Sequence, residues 1–464
     1  MKYSDRTFRF LVPAAHIVSS DAVTLDLPGG SWALLELDEL PSSDAGLRYI
    51  CVSYAWGPTR VFNPFNPTTP MSDRTWAALT TAIGDAPPAA IWIDALCVPS
   101  EAPHRTLTLR RLGLIYSRAA EVAVVLSAAC RPALEKIQKR EPLDPAALLA
   151  LEEDEWVSRA WTYQELVNSN KVRFTVEGRG AICVLASELL NSVGVAVEEY
   201  KKALGYDSAA MRANNPRLDA LVDCLADWMI NRSFERSAYS VLAMMAVRRA
   251  ECDQDYFHAM LGTISQIEPE DSDTPEAHPS EEFMRACEAK ADFSFIYSSN
   301  TRMQESGRHW RPVAGALRAI LPWHSWGPGQ PGTLHASHLR LNQLYQLYPG
   351  EAAPDARDFV ERWLKVEAAE LTSQELQTAA FERLRGWGFT GAGDCLELTG
   401  GYFYSQDRLP SASDIVALVA TQVRWLHGAP GVLVQAGPGG MYRFLGVGAF
   451  VGRVPDGGES FRLD

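Results

Sequence analysis

Three short apolar runs, separated by stretches with helical spacing, constrain this chain more than any other feature. Tyr49-Ile50-Cys51-Val52-Ser53-Tyr54, Ala90-Ile91-Trp92-Ile93-Asp94 and Glu121-Val122-Ala123-Val124-Val125-Leu126 are continuous rather than alternating. A strand that is apolar on both faces has to be covered on both faces, as in a sheet sandwiched by helices. Between the runs, Ser72 to Ile83 places Trp76, Leu79 and Ile83 at helical spacing, with Ser72 or Asp73 as the cap. Thr106 to Arg118 does the same through Leu107, Leu112, Ile115 and Tyr116. Strand and helix alternating in this order predict an α/β fold with a parallel sheet and right-handed crossovers.

The texture changes along the rest of the chain. Two extended pieces, Phe8 to Val12 and Trp32 to Leu37, precede the first run. Helices are expected over Ala133–Lys139 and from about Trp156 to Val167, followed by a strand from Lys171 to Val176. Residues from about 185 to 265 are helix-rich, and 266–282 form a charged, Pro-punctuated loop. Helices resume at 281–290 and 355–386, and from about 391 the sequence is Gly- and β-rich. A chain of 464 residues exceeds one ordinary core. The partition that follows is an α/β domain with an N-terminal extension over 1–200, a helical region over 201–390 and a β-rich region over 391–464.

Charge and cysteine usage exclude several functions. With 43 Lys+Arg against 57 Asp+Glu the formal net charge is −14, a field that repels a nucleic-acid backbone. A local basic pocket for a small nucleotide is compatible with it. The eight cysteines are scattered, with no C-x-x-C pair or Cys/His cluster of the kind zinc requires, and read as reduced thiols. No metal ligand set is expected. No stretch approaches the roughly 18 apolar residues of a membrane helix, and the expected compartment is the cytoplasm.

Three ordered blocks carry a family resemblance. Tyr49-Ile50-Cys51-Val52-Ser53-Tyr54-Ala55-Trp56-Gly57 resembles the opening Y-x-x-L-S-Y-x-W-G of heterokaryon-incompatibility (HET) domains. Ile91-Trp92-Ile93-Asp94-Ala95-Leu96-Cys97-Val98 is similar to their W-I-D-x-L-C-I, followed by Ile115-Tyr116-Ser117-Arg118-Ala119 as I-Y-x-x-A. Ser158-Arg159-Ala160-Trp161-Thr162-Tyr163-Gln164-Glu165-Leu166 resembles R-x-W-x-x-Q-E, so the likeness spans residues 49–167. Where the family continues with Asn-Gln, this chain has Pro99-Ser100. Weaker echoes lie at Arg249 to Gly262 and Gly446 to Gly458.

HET domains are in turn distantly similar to TIR domains, which implies a TIR-like (flavodoxin-like) parallel sheet flanked by helices. The resemblance also implies a part in fungal self/non-self recognition and programmed cell death. In TIR enzymes the glutamate of the W-C-x-x-E-L helix supports cleavage of NAD, and here that residue would be Glu165. Two other uses of the scaffold stay open: a non-enzymatic adaptor that signals by self-assembly, and a small-molecule enzyme of specialised metabolism. Candidate partners are therefore a small nucleotide substrate, a second copy of the chain, or a cell-death signalling protein.

The chemistry needs little machinery. Cleaving the nicotinamide–ribose bond releases a neutral pyridine, so a carboxylate near the ribose suffices to stabilise the oxocarbenium-like charge. NAD(P) would be substrate, and no further cofactor is required. Trp161 and Glu165 are i and i+4 on one helix face. The competing use of Glu165 is a structural ion pair with Arg159 or a nearby lysine. Ser53, Tyr54, Trp56 and Gly57 sit where the first run ends, Gly57 offering backbone N–H to a phosphate and Tyr54 or Trp56 a ring to stack. Asp94 either touches ligand or caps a helix. By position, Arg60, Arg74 and Arg105 are candidate phosphate contacts.

Overall fold

The computed structural model describes residues 8–17, 23–41, 47–84, 89–178, 182–230, 236–264, 278–298, 301–305, 307–321, 327–365 and 371–464. Most of the charged loop expected over 266–282 lies outside the described residues, which resume just before a helix at Pro279–Ala289. Two compact units emerge. One comprises Met1–Tyr206, Asn215–Ser233 and Arg248–Pro275, and the other Asp207–Asn214, Phe234–Val247 and Glu276–Asp464. These units differ from the partition into 1–200, 201–390 and 391–464, because the chain leaves the first unit and returns to it. Hydrophobic texture reports local structure and carries no record of which core a helix joins.

In the first unit the strands are β1 (Phe8–Pro13), β2 (Thr24–Leu27), β3 (Gly30–Leu37), β4 (Tyr49–Tyr54), a small ribbon of β5 (Arg60–Val61) and β6 (Met71–Ser72), β7 (Ala90–Trp92), β8 (Glu121–Leu126), β9 (Val172–Val176) and β10 (Val184–Leu185). All but the ribbon form one sheet in the order β10-β9-β8-β4-β7-β1-β3-β2. The three apolar runs are its centre. β4 lies parallel to β7 on one side and to β8 on the other, and β8 is parallel to β9. Their central side chains, among them Cys51, Ile91 and Val124, are fully buried, as two-sided coverage requires.

The sheet is mixed rather than wholly parallel. β1 runs antiparallel to β7 through Leu11 and Ile91, β3 and β2 continue antiparallel outward, and β10 is antiparallel to β9. The physical reason is the connection: β2 and β3 are joined by a tight turn with Gly29 at φ 88°, and a turn that short only joins antiparallel strands.

Two expected helices are broken in the structure. The stretch Thr106 to Arg118 divides at Arg111 into Ala102–Arg110 and Leu112–Arg118. Trp156 to Val167 divides at Arg159, which is extended (φ −81°, ψ 140°), into Glu155–Ser158 and Ala160–Val167. The helix Ala160–Val167 packs against Asp253–Ile264, Pro216–Ile230 and Leu112–Arg118. Close approach of Leu112–Arg118 to Asp253–Ile264 depends on Gly113, where a Cβ would stand 2.2 Å from the Gly262 carbonyl oxygen.

The second unit contains β11 (Gly332–His335), β12 (His338–Leu347), β13 (Cys395–Leu398), β14 (Gly401–Ser405), β15 (Ile415–Ala420), β16 (Gly428–Ala436), β17 (Met441–Gly452) and β18 (Glu459–Leu463). Pairing runs β12-β15-β16-β17, and β18 bonds both β17 and β12, which closes a five-stranded barrel. Closure leaves those strands no free edge. β11 and β12 thus belong with the C-terminal strands although they lie before residue 391. Helices Pro354–Leu364 and Ser373–Gly386 interrupt the strand sequence. No described helix is long and apolar enough to cross a membrane.

Candidate functional site

The parallel order brings the ends of β4 and β7 to one edge of the sheet. β4 is the first strand of the parallel set, and its neighbours β7 and β8 are the second and third, so chain direction across the sheet reverses at β4. Ligands of open α/β sheets bind outside the carboxyl ends of strands at such a reversal. A cleft of about 380 Å³ opens there, with Trp56, Asp94, Trp161 and Glu165 in its lining. That volume falls within the range of small-molecule sites, roughly 300–1,000 Å³.

Glu165 is 7% exposed. Ser53 Oγ donates to Glu165 Oε2 at 2.5 Å, and Trp156 Nε1 donates to Ser53 Oγ at 2.7 Å. The indole N–H therefore commits the serine proton to the carboxylate. Trp156 is itself fixed, edge-on to Phe174 with centroids 5.5 Å apart and its backbone N–H donating to Asp154 Oδ1 at 2.9 Å. Burial pushes the Glu165 carboxyl up to about 8, against the pull of the Ser53 hydrogen bond. The Asp94 charge raises it further, while the Arg159 charge and the Tyr116 hydroxyl lower it. Near neutral pH this carboxyl is mostly protonated when the cleft holds no ligand. Among the described residues Glu165 forms no ion pair, and Arg159 acts on it only through its charge.

Asp94 opens the short helix Asp94–Cys97. Its Oδ1 accepts from the adjacent Ala95 amide at 2.7 Å and its Oδ2 from Trp56 Nε1 at 2.8 Å, so it satisfies one first-turn amide and positions a cleft aromatic, while the N-cap itself is Ile93. Burial raises its pKa while the Arg159 charge lowers it. Trp56 is half-buried, with the Arg60 guanidinium 5.2 Å from its ring centroid. Trp161 is also half-buried and shares the cleft with Glu165, as their i, i+4 spacing implies.

The remaining expected residues stand behind the cleft. Ser53 acts through Glu165. Tyr54 is buried, its hydroxyl 2.7 Å from Thr75 Oγ1. The Gly57 amide donates to Ser72 Oγ at 2.8 Å, so that backbone N–H is occupied within the protein. A Cβ at Gly57 would meet the Asp73 carboxylate at 2.7 Å, and packing accounts for the glycine. Arg74 is paired with Glu177 at 2.6 Å, and Arg60 donates to the Gly57 carbonyl at 2.6 Å. Of those three arginines, Arg105 lines the cleft. Burial pushes the Cys97 thiol up to about 12, which leaves it un-ionised. Among the described residues no cluster of His, Cys, Asp and Glu could hold a metal ion.

Sequence reasoning missed part of the lining. Arg159, Arg217 and Arg249 face the same cleft as Arg105, together with Glu155 and Asp255. The sequence marks Arg159 as part of the third family block and as an ion-pair partner for Glu165, and Arg249 as the start of the echo that ends at Gly262. A local signal for their convergence is absent from the sequence, because a backbone bridge between distant segments brings Arg159 and Arg249 together.

Residues 49–147 match the family model of the heterokaryon incompatibility protein (HET), and the chain carries a HET domain there. No curated protein and no solved structure matches the chain. Ser53, Tyr54, Trp56, Gly57 and Asp94 fall inside the matched segment, whereas Trp161, Glu165, Arg159 and Arg249 lie beyond it.

Proposed function

We propose that this HET-domain protein cleaves the nicotinamide–ribose bond of NAD(P), as a glycohydrolase or cyclase, with Glu165 as the catalytic carboxylate. The observation that carries the reading is Glu165 itself: a buried carboxyl at the carboxyl end of a parallel sheet, aimed by Ser53 and opening onto a cleft with two tryptophans. The order of the four parallel strands, second-first-third-fourth, supports a TIR-like, flavodoxin-like core.

In the reaction the C1′–N bond breaks and its electron pair leaves with neutral nicotinamide. The ribosyl cation is captured by water, or by a nucleophile of the same molecule in the cyclase variant. A carboxylate is needed beside that cation. Glu165 is mostly protonated in the empty cleft, and a cationic nicotinamide riboside favours the ionised form, so substrate and carboxylate select each other. After capture, the same carboxylate can accept the proton that the attacking water loses. The setting proposed is cytoplasmic cell death in fungal self/non-self recognition, with the second copy or signalling partner that such an output uses.

The test is nicotinamide release from NAD and NADP by the purified chain and by Glu165→Gln. Turnover by the first and loss in the second is the expected result. No turnover by either protein under assembly-promoting conditions overturns the reading. Cell death that persists unchanged with Glu165→Gln would favour signalling by assembly alone.

A further inference from the structure

The break at Arg159 does more than end a helix. Arg159 and Arg249 face one another in a parallel β-bridge, flanked by hydrogen bonds from the Arg249 amide to the Ser158 carbonyl (2.7 Å) and from the Ala160 amide to the Arg249 carbonyl (2.9 Å). Residues opposed in such a bridge project to the same side. Both side chains line the cleft. The arrangement is held firmly: the Arg159 carbonyl also accepts from Arg248 Nη1 at 3.0 Å and from Thr162 Oγ1 at 2.8 Å.

Like charges placed opposite each other are unfavourable, and a fold normally offsets them with a carboxylate. Among the described residues neither guanidinium forms an ion pair or a side-chain hydrogen bond. The Arg159 charge acts on Asp94 and Glu165 through space, and the hydrogen bonds of those carboxylates go to other groups. Asp94 accepts from Trp56 and the Ala95 amide, Glu251 stands 3.7 Å from Arg60, and Glu165 accepts from Ser53. Glu155 and Asp255 form no ion pair with either arginine. Arg105, on the same lining, is likewise without a side-chain hydrogen bond or ion pair. Arg217 spends one nitrogen on the Glu153 carbonyl, at 3.4 Å.

We propose that Arg159 and Arg249 form a clamp for the diphosphate group of the ligand that occupies this cleft. Planar guanidinium forks pair with phosphate oxygens two bonds at a time, and two adjacent forks match two linked phosphates. An anion held by both is attracted by both charges. Arg105 supplies a third cation to the same lining. As an account of how a dinucleotide is oriented toward Glu165 the clamp rests on the NAD(P) reading. As an anion site it is testable without it.

The experiment is calorimetric titration of the full chain with inorganic pyrophosphate and, separately, with inorganic phosphate at low salt. Saturable binding of one pyrophosphate per chain is expected, at least tenfold tighter than phosphate. Arg249→Ala, a change at an exposed side chain, should weaken it tenfold or more. Arg159→Lys, which keeps the charge and loses the fork, should weaken it by less. Arg443→Ala, an exposed arginine of β17, should bind as the parent does. The proposal is overturned by the absence of saturable pyrophosphate binding, by phosphate binding as tightly as pyrophosphate, or by Arg249→Ala binding normally. Pyrophosphate binding without NAD cleavage would retain the clamp and remove the glycohydrolase reading. NAD cleavage with no dependence on Arg249 would do the reverse.

Discussion

The carboxylate side and the arginine side of the cleft are built on opposite principles. At Glu165 each polar group is assigned: Trp156 donates to Ser53, and Ser53 donates to the carboxylate. At Arg159 and Arg249 the backbone is fully bonded while, among the described residues, neither guanidinium forms an ion pair or a side-chain hydrogen bond. The first arrangement aims an atom before ligand arrives, at the cost of burying a carboxyl whose pKa rises to about 8. The second leaves a charge imbalance for a ligand to correct. The difference separates what must be preorganised for chemistry from what can wait for binding.

Removing the aimed carboxylate should have the largest effect. Glu165→Gln is expected to lower NAD turnover by about 100-fold or more, the usual scale for loss of a transition-state electrostatic partner. Its effect on stability should have the opposite sign. The folded-state pKa of about 8 exceeds the ordinary 4.5, so the native protein retains a proton that the unfolded chain has lost between those values. Wild-type stability therefore falls as pH rises across that window, and the Gln variant lacks the fall. Denaturant titrations at several pH values should show the variant gaining relative to wild type from about pH 4.5 to about pH 8, then levelling. A pH-independent difference would mean that Glu165 is ionised in the folded protein.

Ser53→Ala breaks the chain of donors at its middle. It leaves the buried Trp156 N–H without its acceptor, an expected loss of about 1–3 kcal/mol by chemical denaturation. It also removes the hydrogen bond that lowers the Glu165 pKa, so the rise of kcat/KM with pH should shift to higher pH. Trp156→Phe deletes the N–H together with three ring atoms at a fully buried position. A stability loss of about 1–3 kcal/mol, cavity included, and a smaller shift of the same profile are expected. If Trp156→Phe shifts that pH profile further than Ser53→Ala does, the serine is not the element that aims the carboxylate.

The smallest change is on the other side. Arg249→Glu places opposite charges across the bridge at a solvent-exposed position. The melting temperature should stay level or rise slightly, since exposed ion pairs contribute little. Pyrophosphate binding should nonetheless disappear. A large drop in melting temperature would show that Arg249 is structural and would merge the two sides that the comparison separates.

Much of the first unit was legible because its signals are local. The apolar runs at 49–54, 90–94 and 121–126 became the central strands, and the i, i+4 spacing of Trp161 and Glu165 became a shared cleft face. Asp94 at the end of its strand was read as cap or contact, and its two oxygens divide between the helix amide and the cleft tryptophan. Gly57 shows the limit of such reading. Its N–H was expected to meet a phosphate and instead meets the Ser72 hydroxyl, a partner set by how the β5–β6 ribbon folds back.

What the sequence determined by itself is the set of strands and helices with strong periodicity, the HET segment, and the choice of Glu165 as the residue to question. Periodicity suffices there because burial of one face or both is a property of the segment. Only the tertiary structure decided that β1–β3 extend the same sheet and that β12 closes a barrel with strands far along the chain. It also decided that a helical pattern from Trp156 to Val167 breaks at Arg159. Helical spacing is satisfied on both sides of that residue, so no local term selects the break. The backbone bonds of Ser158 and Ala160 to Arg249 select it, and with them the pair of arginines that faces Glu165's cleft.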